Sequence, residues 1–274
     1  MPEAVTLRIL DKADEFSEVT RLHQTIWKRQ PEDAISPYIM QTVSHNGGSV
    51  IGAEVANQLV GFTFCMVVER NDNIRLWSYL SGVHPTFQGQ GIGHALKKYQ
   101  RRWALERGHS AIAWTFDPMQ RRNANFNFNH LGVVAKSYYP DYYGKMDDAI
   151  NAGLATDRLE AIWQLDDPEV VLRMESGSLR TYHESPKAME SILVQEQANS
   201  IYWAAVISLA LDSYYIEIPW NIGKLKESDM SKAREWQTAI RKALSTIFGE
   251  GYTVTGFIQK EQQCWYLAQR RTLS

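Results

Sequence analysis

Hydrophobic residues in the first part of the chain switch between a strand-like and a helix-like spacing. Residues 6–10 predict a short strand. Apolar residues then recur at three- and four-residue intervals, which predicts an amphipathic helix beginning at residue 13 or 14. These residues are Phe16, Val19, Leu22, Ile26 and Trp27. A second helix is expected to end near residue 45, before strands at 49–54, 59–68 and 76–83 with a connection at 71–73.

The central stretch is a buried strand, a glycine-rich turn and a helix. The strand at 76–83 stops at His84-Pro85, and Gln88-Gly89-Gln90-Gly91-Ile92-Gly93 follows. The helix predicted next has an apolar stripe, and Gly108 ends it. The stripe is Ile92, Ala95, Leu96, Tyr99 and Trp103. The glycines therefore lie at a helix N-terminus, where unpaired N–H groups and the helix dipole favour phosphate, although glycines at this point also serve simply to make a turn.

Two common phosphate-binding loops do not match this turn. A P-loop requires Lys and then Ser or Thr after its last glycine, whereas Gly93 is followed by His94 and Ala95. A dinucleotide-binding fold requires G-x-G-x-x-G, whereas the glycines here are spaced G-x-G-x-G. Nucleotide triphosphatase and dinucleotide-dependent functions are therefore not favoured.

The remainder of the chain predicts a second, smaller group of elements. Apolar runs at 110–116 and 159–165 predict strands, the first parallel to the central strand, and residues 147–157 read as a loop. Residues 166–212 give no clear pattern. A strand at 214–219, a long helix at 231–248 and a hairpin at 254–267 follow. The stripe of that helix is Ala233, Trp236, Ile240, Ala243, Leu244 and Ile247. We therefore predict domains at 1–165 and 166–274, the second an accessory α/β piece.

Composition narrows the class of protein. The 274 residues are 44% hydrophobic and 22% charged, with a net charge of −2, which argues against nucleic acid as a partner. The basic run Lys97, Lys98, Arg101 and Arg102 is interpreted mainly as the solvated face of its helix, although its first turns could also help to hold phosphate groups. The two cysteines, far apart in sequence, indicate neither a disulfide framework nor a metal site, so no metal is expected. With no signal sequence and no apolar run of about 20 residues, the chain is expected to be cytoplasmic and not bound to a membrane.

Two motifs resemble those of one enzyme family. Val83-His84-Pro85, then Gln88-x-x-Gly91-x-Gly93 and an amphipathic helix, resembles the coenzyme A pyrophosphate loop of the GNAT N-acetyltransferases. The stretch from Asn123-Ala124 to Leu131-Gly132-Val133 is similar to the late helix of that family and its Leu-Gly-Phe ending. The resemblance covers roughly residues 5–165. It implies an α+β fold, a GNAT-type mixed sheet with splayed central strands flanked by helices, to which this chain adds a smaller C-terminal α/β subdomain, as in a little-characterised branch of the family.

The resemblance also implies a site for acetyl-CoA as cosubstrate. Leu80, Gly82 and Val83 would lie beside its acyl end, and Gly82 suggests a β-bulge or a close backbone approach there. The late-helix residue Asn123 would cap that helix or contact the cofactor. The phosphates would lie against the loop residues Gln88, Gly89, Gln90, Gly91, Ile92, Gly93 and His94.

The implied reaction is direct acetyl transfer from the thioester to an amine. The acceptor would be a small molecule or a peptide, and a homodimer is left open. Two alternatives remain: a non-catalytic acyl-CoA-binding or regulatory protein, and a two-lobed aminoacyl-type transferase in which the tail is a second lobe.

Catalytic residues are harder to identify, because the strand at 76–83 contains no acid. The nearest candidate base is Asp117, but Asp before Pro is also a common turn former, and His84 has the same ambiguity before Pro85. Many family members carry a general-acid tyrosine four residues before the glycine of the Leu-Gly-Phe ending, a position that is Phe128 here. The resemblance makes the tyrosine cluster at 138–143 a candidate wall of the acceptor site, and we expect Tyr142 or Tyr143 to supply the missing hydroxyl.

Overall fold

The computed structural model describes residues 4–70, 73–144, 146, 153–177, 191–198, 200–204 and 209–270. Packing divides the described residues into two compact units. Unit 1 is drawn from Met1–Trp114 and Gln164–Asp166, and unit 2 from Thr115–Trp163 and Asp167–Ser274. Both contain strands and helices, so the mixed α/β class predicted from the sequence is confirmed.

In its described residues, unit 1 contains three α-helices and the strands around them. Most boundaries agree with the sequence-based prediction within three residues. The elements are β1 (Thr6–Leu10), α1 (Ala13–Trp27), α2 (Pro37–His45), β2 (Ser49–Val55), β3 (Gln58–Arg70), β4 (Asn73–Val83), α3 (Ile92–Leu105) and β5 (Ala111–Phe116), whose last two residues belong to unit 2. Strands β1 to β4 pair antiparallel in chain order, and β5 pairs parallel to β4, as expected for a strand that follows a helical crossover.

The two faces of this sheet are covered by different helices. Alternation along β3 sends Phe62 and Phe64 to the face covered by α1 and α2, where they are fully buried. The intervening Thr63 and Cys65 point to the face covered by α3. Helix α3 packs there through Ile92 and Leu96 against β2 and β3. The predicted apolar stripes of α1 and α3 are thus confirmed as core-forming faces.

A β-bulge interrupts the β3–β4 ladder at Tyr79. Phe64 is opposite Leu80 and Cys65 is opposite Ser78, so Tyr79 is the extra residue. Without the bulge Ser78 and Leu80 would share a face, because side chains alternate along a strand. With it, Ser78 lies on the α3 face and Leu80 packs with the α1 and α2 cluster.

Unit 2 holds the C-terminal part of the chain together with residues 115–163. Its elements are α4 (Arg121–Asn125), a π-helical turn (Phe126–Leu131), β6 (Val134–Tyr139), β7 (Arg158–Gln164), α5 (Pro168–Ser176), β8 (Ile192–Gln197), β9 (Ser200–Trp203), β10 (Ser213–Glu217), α6 (Ile222–Ser228), α7 (Met230–Gly249), β11 (Tyr252–Lys260) and β12 (Gln263–Arg270). The strand order is β7-β6-β11-β12-β10-β8-β9. Helix α7 packs across β6, β8, β9, β10 and β11, which buries its whole predicted stripe.

The tail contains more regular structure than the sequence predicted, since α5, β8 and β9 lie where no pattern was found. Residues 71–72 and 147–152, in a predicted connection and a predicted loop, lie outside the described residues. The domain boundary at residue 165 stays a prediction. In the described part of the chain, no helix is long and apolar enough to span a membrane.

Candidate functional site

The glycine turn between β4 and α3 has the backbone of a ligand cradle. Gly89 and Gly91 have φ values of 77° and 81°, in the left-handed region that other residues avoid. Gly91 is the N-cap of α3, and a Cβ added at either glycine would meet no atom within 4 Å. The backbone of the turn is therefore open to an approaching group.

The start of α3 directs backbone donors towards this opening. The helical ladder begins with the bond from the Ala95 N–H to the Gly91 carbonyl, at 3.0 Å. The N–H groups of Ile92 and Gly93 therefore precede the ladder and have no acceptor within the helix. Together with the positive end of the helix dipole, they fit a phosphate group.

Side chains from the turn itself fix its shape. The Gln88 amide donates to the Val83 carbonyl at 3.0 Å, and the Gln90 amide donates to the Thr86 carbonyl at 3.2 Å. His84 Nδ1 accepts from the Thr86 N–H at 3.3 Å, so His84 takes the turn role that the sequence allowed. Gln88 and Gln90 thus stabilise the turn, whereas their contact with a cofactor stays a prediction.

Strands β4 and β5 part soon after they meet. Their paired positions are Leu76 with Ile112 and Trp77 with Ala113, whereas β4 continues to Val83. We call the point between Ser78 and Trp114, the first residues beyond the last pair, the strand fork. In the described residues, β4 beyond the fork is paired with β3 on one edge and not with β5 on the other.

Gly82 lies on the parted segment of β4 and is closely approached by α1. A Cβ at this position would be 2.5 Å from Trp27 Cη2 and 3.0 Å from Ile26 Cδ1, so glycine is required for packing. Gly82 pairs regularly with Phe62, so the alternative prediction of a bulge at Gly82 is wrong; the bulge is at Tyr79. The other two residues predicted beside the acyl group, Leu80 and Val83, pack on opposite faces of the sheet.

The prediction that Lys97 lies on the solvated face of α3 is wrong. The side chain is 3% exposed and its ammonium lies at the strand fork. Lys97 Nζ donates to Ser78 Oγ at 2.8 Å and to Gln100 Oε1 at 2.9 Å, and it lies 4.2 Å from the centre of the Trp114 ring. Burial lowers the pKa of Lys97 to about 7.

The sequence did carry a signal for this burial. Lys97, Gln100 and Ala104 follow one another at three- and four-residue intervals, beside the stripe of Leu96 and Trp103. All five residues are buried, so the core face of α3 is wider than the apolar residues alone indicate. The spacing of Lys97 along α3 therefore indicates burial, although its charged side chain favours an exposed position.

Asp117, in unit 2, is engaged in the turn that follows β5. Its carboxylate accepts from the Met119 N–H at 2.9 Å and from the Gln120 amide at 3.1 Å. Burial raises the pKa of Asp117, and its two hydrogen bonds act in the opposite direction. The geometry matches the turn-forming role, while a raised pKa is also what a general base requires.

The tyrosine cluster lies on β6 and in the turn after it. Tyr142 and Tyr143 are each 45% exposed and their rings pack edge to face. The Tyr143 hydroxyl lies 3.5 Å from Thr115 Oγ1 on β5. In contrast, the Tyr138 hydroxyl donates to Asp157, which Arg241 also contacts. The two predicted acid candidates are thus the accessible members of the cluster.

The late helix is confirmed, and the position of the family tyrosine is filled by a packed side chain. Phe128 is fully buried within the π-helical turn, with its ring against Phe116 and Tyr266. The prediction that Asn123 caps this helix is wrong, because Gln120 is the N-cap and Asn123 is an exposed residue inside α4. A contact between Asn123 and a cofactor stays a prediction.

The glycine turn and the parted strands belong to a mixed α/β arrangement of strands and helices. Residues 13–128 match the family described as the acetyltransferase (GNAT) family. This segment spans α1 through the first half of the π-helical turn, and it is similar to the GNAT acetyltransferases.

Several solved structures are similar to part of this chain. The ribosomal-protein-S18-alanine N-acetyltransferase from Escherichia coli is 15% identical, with a TM-score of 0.48 over 59% of this chain and 94% of that one. A putative GNAT-family acetyltransferase from Desulfovibrio desulfuricans is 15% identical, with a TM-score of 0.46 over 59% of this chain and 99% of that one. A putative acetyltransferase from Salmonella typhimurium, solved with its cofactor acetyl-CoA, is 17% identical, with a TM-score of 0.46 over 60% of this chain and 95% of that one.

Proposed function

We propose that this protein is an acetyl-CoA-dependent N-acyltransferase that transfers an acetyl group directly from the thioester to an amine. The observation that carries the proposal is the continuity between the open glycine turn at the start of α3 and the unpaired edge of β4. The turn suits the pyrophosphate, and the edge suits the amide groups of the pantetheine arm. A ligand with phosphate at one end and amides along its length fits both.

Backbone direction identifies the donors that β4 offers. The His84 N–H donates to the Val60 carbonyl at 2.8 Å, so it points towards β3. Because N–H groups alternate in direction along a strand, those of Val83 and Ser81 point to the open edge. Val83 therefore has a donor for the arm, and Ser81, nearer the strand fork, has one for the arm or the thioester carbonyl. Gly82, in contrast, directs its N–H to β3. One such donor is worth roughly 3 kcal/mol in the transition state.

The remaining roles are assigned to residues with suitable chemistry. Asp117 is the proposed base that deprotonates the acceptor, and the Tyr142 or Tyr143 hydroxyl is the proposed acid for the departing sulfur. Residues 1–165 would form the catalytic domain and 166–274 the accessory piece. The acceptor amine is left unassigned.

Non-catalytic acyl-CoA binding is the second candidate, and two observations favour it. Phenylalanine occupies the position of the family tyrosine, and the Asp117 carboxylate is engaged in a turn. Release of free thiol from acetyl-CoA across a panel of small and peptide amines separates the candidates. Amine-dependent release supports the enzyme, and tight binding without release supports the binding protein.

The cofactor site is tested with Gly91→Val. The variant places a β-branched residue at a positive φ and puts its side chain into the space over the turn, so we expect at least a tenfold loss of coenzyme A affinity by calorimetry. Gly108→Val is the matched control, because Gly108 also has a positive φ (76°) and open surroundings but lies beyond the other end of α3. Equal affinity in the folded Gly91→Val variant would remove the basis of the proposal.

A further inference from the structure

The strand fork contains a buried lysine amine, Lys97, for which the described residues supply no negative partner. The groups around Lys97 Nζ come from four elements: Cys65 on β3, Ser78 on β4, Trp114 on β5 and Gln100 on α3. Gln100 is held in turn by the hydrogen bond from its amide to Thr63 Oγ1 on β3. In the described part of the chain, no carboxylate forms an ion pair with Lys97. A buried ammonium held only by neutral groups is costly, so the fork is a place where an anion would be strongly stabilised.

The position of the charge identifies the anion. Resting on the proposed function, the pyrophosphate lies at the glycine turn and the arm follows β4 back from Val83 towards Ser78. That segment is five residue steps, or roughly 17 Å. The end of the arm nearest the fork is its sulfur, which becomes an anion when the acyl group leaves.

We propose that the Lys97 ammonium stabilises the thiolate of coenzyme A at the strand fork. In the transfer, the acceptor nitrogen bonds to the carbonyl carbon, the C–S bond breaks, and the electron pair stays on sulfur. The proton lost by the acceptor goes to Asp117, the proposed base. The sulfur leaves as a thiolate beside the ammonium before the proposed tyrosine acid protonates it. Ser78 and Gln100 are positioning residues, because their side-chain oxygens hold Nζ in place.

The surroundings of Lys97 suit an amine that gains and loses a proton near neutral pH. Burial already brings the pKa of Lys97 close to neutral, and among the charged or titratable groups that face it only the Cys65 thiol acts to raise that pKa. A thiol bound next to a neutral amine can transfer its proton to that amine. The resulting ion pair then replaces two neutral groups within the site.

The test is the ultraviolet absorbance of the thiolate when coenzyme A is titrated on the protein, with desulfo-coenzyme A as the blank. A free thiol has a pKa of about 8.5. We expect the bound thiol to titrate at least one pKa unit lower in the wild type, and at or above the free value in Lys97→Met. Lys98→Met is the matched control, because Lys98 is exposed on the next position of α3 and should leave the bound thiol as in the wild type.

The wild-type measurement decides the question even if Lys97→Met fails to fold. A bound thiol that titrates at or above the free value refutes the role of Lys97 while leaving cofactor binding intact. The same conclusion follows if Lys97→Met binds coenzyme A and lowers the thiol pKa as the wild type does. If neither coenzyme A nor its desulfo analogue binds, the proposed function itself fails, and the inference about Lys97 fails with it.

Discussion

The buried ammonium of Lys97 should leave a clear mark on the stability of the protein without any ligand. Burial lowers its pKa from 10.5 to about 7, so between these values the unfolded chain holds a proton that the folded chain has released. Stability rises with pH wherever the unfolded state binds more protons. The free energy of unfolding should therefore increase as the pH rises from about 7 towards 10.5, and Lys97→Met should lack this increase.

The size of the change in the free energy of unfolding follows from the shift in the pKa of Lys97. Each pKa unit corresponds to about 1.4 kcal/mol, so the whole shift is worth about 5 kcal/mol, and the part between pH 7 and pH 10 is roughly 3.5 kcal/mol. Below pH 7 both states carry the proton, and the full cost of burying the charge is present. Methionine has nearly the same length as lysine and carries no charge, so it fills the same space beside Trp114.

Urea unfolding at pH 7 and pH 10 measures this difference directly. Subtracting the free energy of unfolding of Lys97→Met from that of the wild type removes the contributions of other groups. One of these groups is Cys65, whose pKa is raised by burial and which therefore has the opposite pH dependence. Lys98→Met, at an exposed position, should keep the wild-type pH dependence. If Lys97→Met retains it too, the ammonium is not buried as described and the account of the strand fork is refuted.

Three other predictions follow from the described contacts. Tyr142→Phe and Tyr143→Phe should lower turnover by up to about 10²-fold with acetyl-CoA affinity unchanged; full turnover in the double variant would exclude both as acids. A chain ending after residue 165 should aggregate or unfold in light scattering and denaturation, because β6 loses the packing of α7; a stable monomer would contradict this. His23 is buried and its pKa is lowered to about 4, so stability should fall as the pH drops from 6.5 to 4, by about 3 kcal/mol. His23→Asn should lose that dependence in urea unfolding, and an unchanged acid dependence would refute it.

The elements of unit 1 were predictable because their local signals agree with their packing. The stripes of α1 and α3 and the alternation along β3 each indicate the face that is buried. The tail was less predictable for a physical reason. Strand β6 pairs with β11 more than a hundred residues later, and β10 pairs parallel with β8 rather than with an adjacent strand, so these pairings are not determined by neighbouring residues in the sequence.

The candidate site was also only partly predictable from the sequence. The glycine turn could be located from the sequence, because a positive φ at the start of a helix leaves glycine as a visible requirement. The bulge at Tyr79 and the burial of Lys97 could not, since both depend on how β3, β4 and α3 meet. Asn123 was placed by analogy with a helix cap, and the actual cap is three residues earlier.

One helix links the two features on which the proposals rest. The N-terminus of α3 provides backbone donors at the glycine turn, and Lys97, five residues after Ile92, provides the charge at the fork, roughly 8 Å further along the helix axis. Strand β4 runs between the same two places with its edge unpaired by β5. Because a buried, unpaired ammonium lowers stability and an apolar residue would fill the space without that cost, its presence is best explained by an anion that arrives only during function. A cofactor held by phosphate at one end of α3 and releasing a thiolate near the other supplies such an anion.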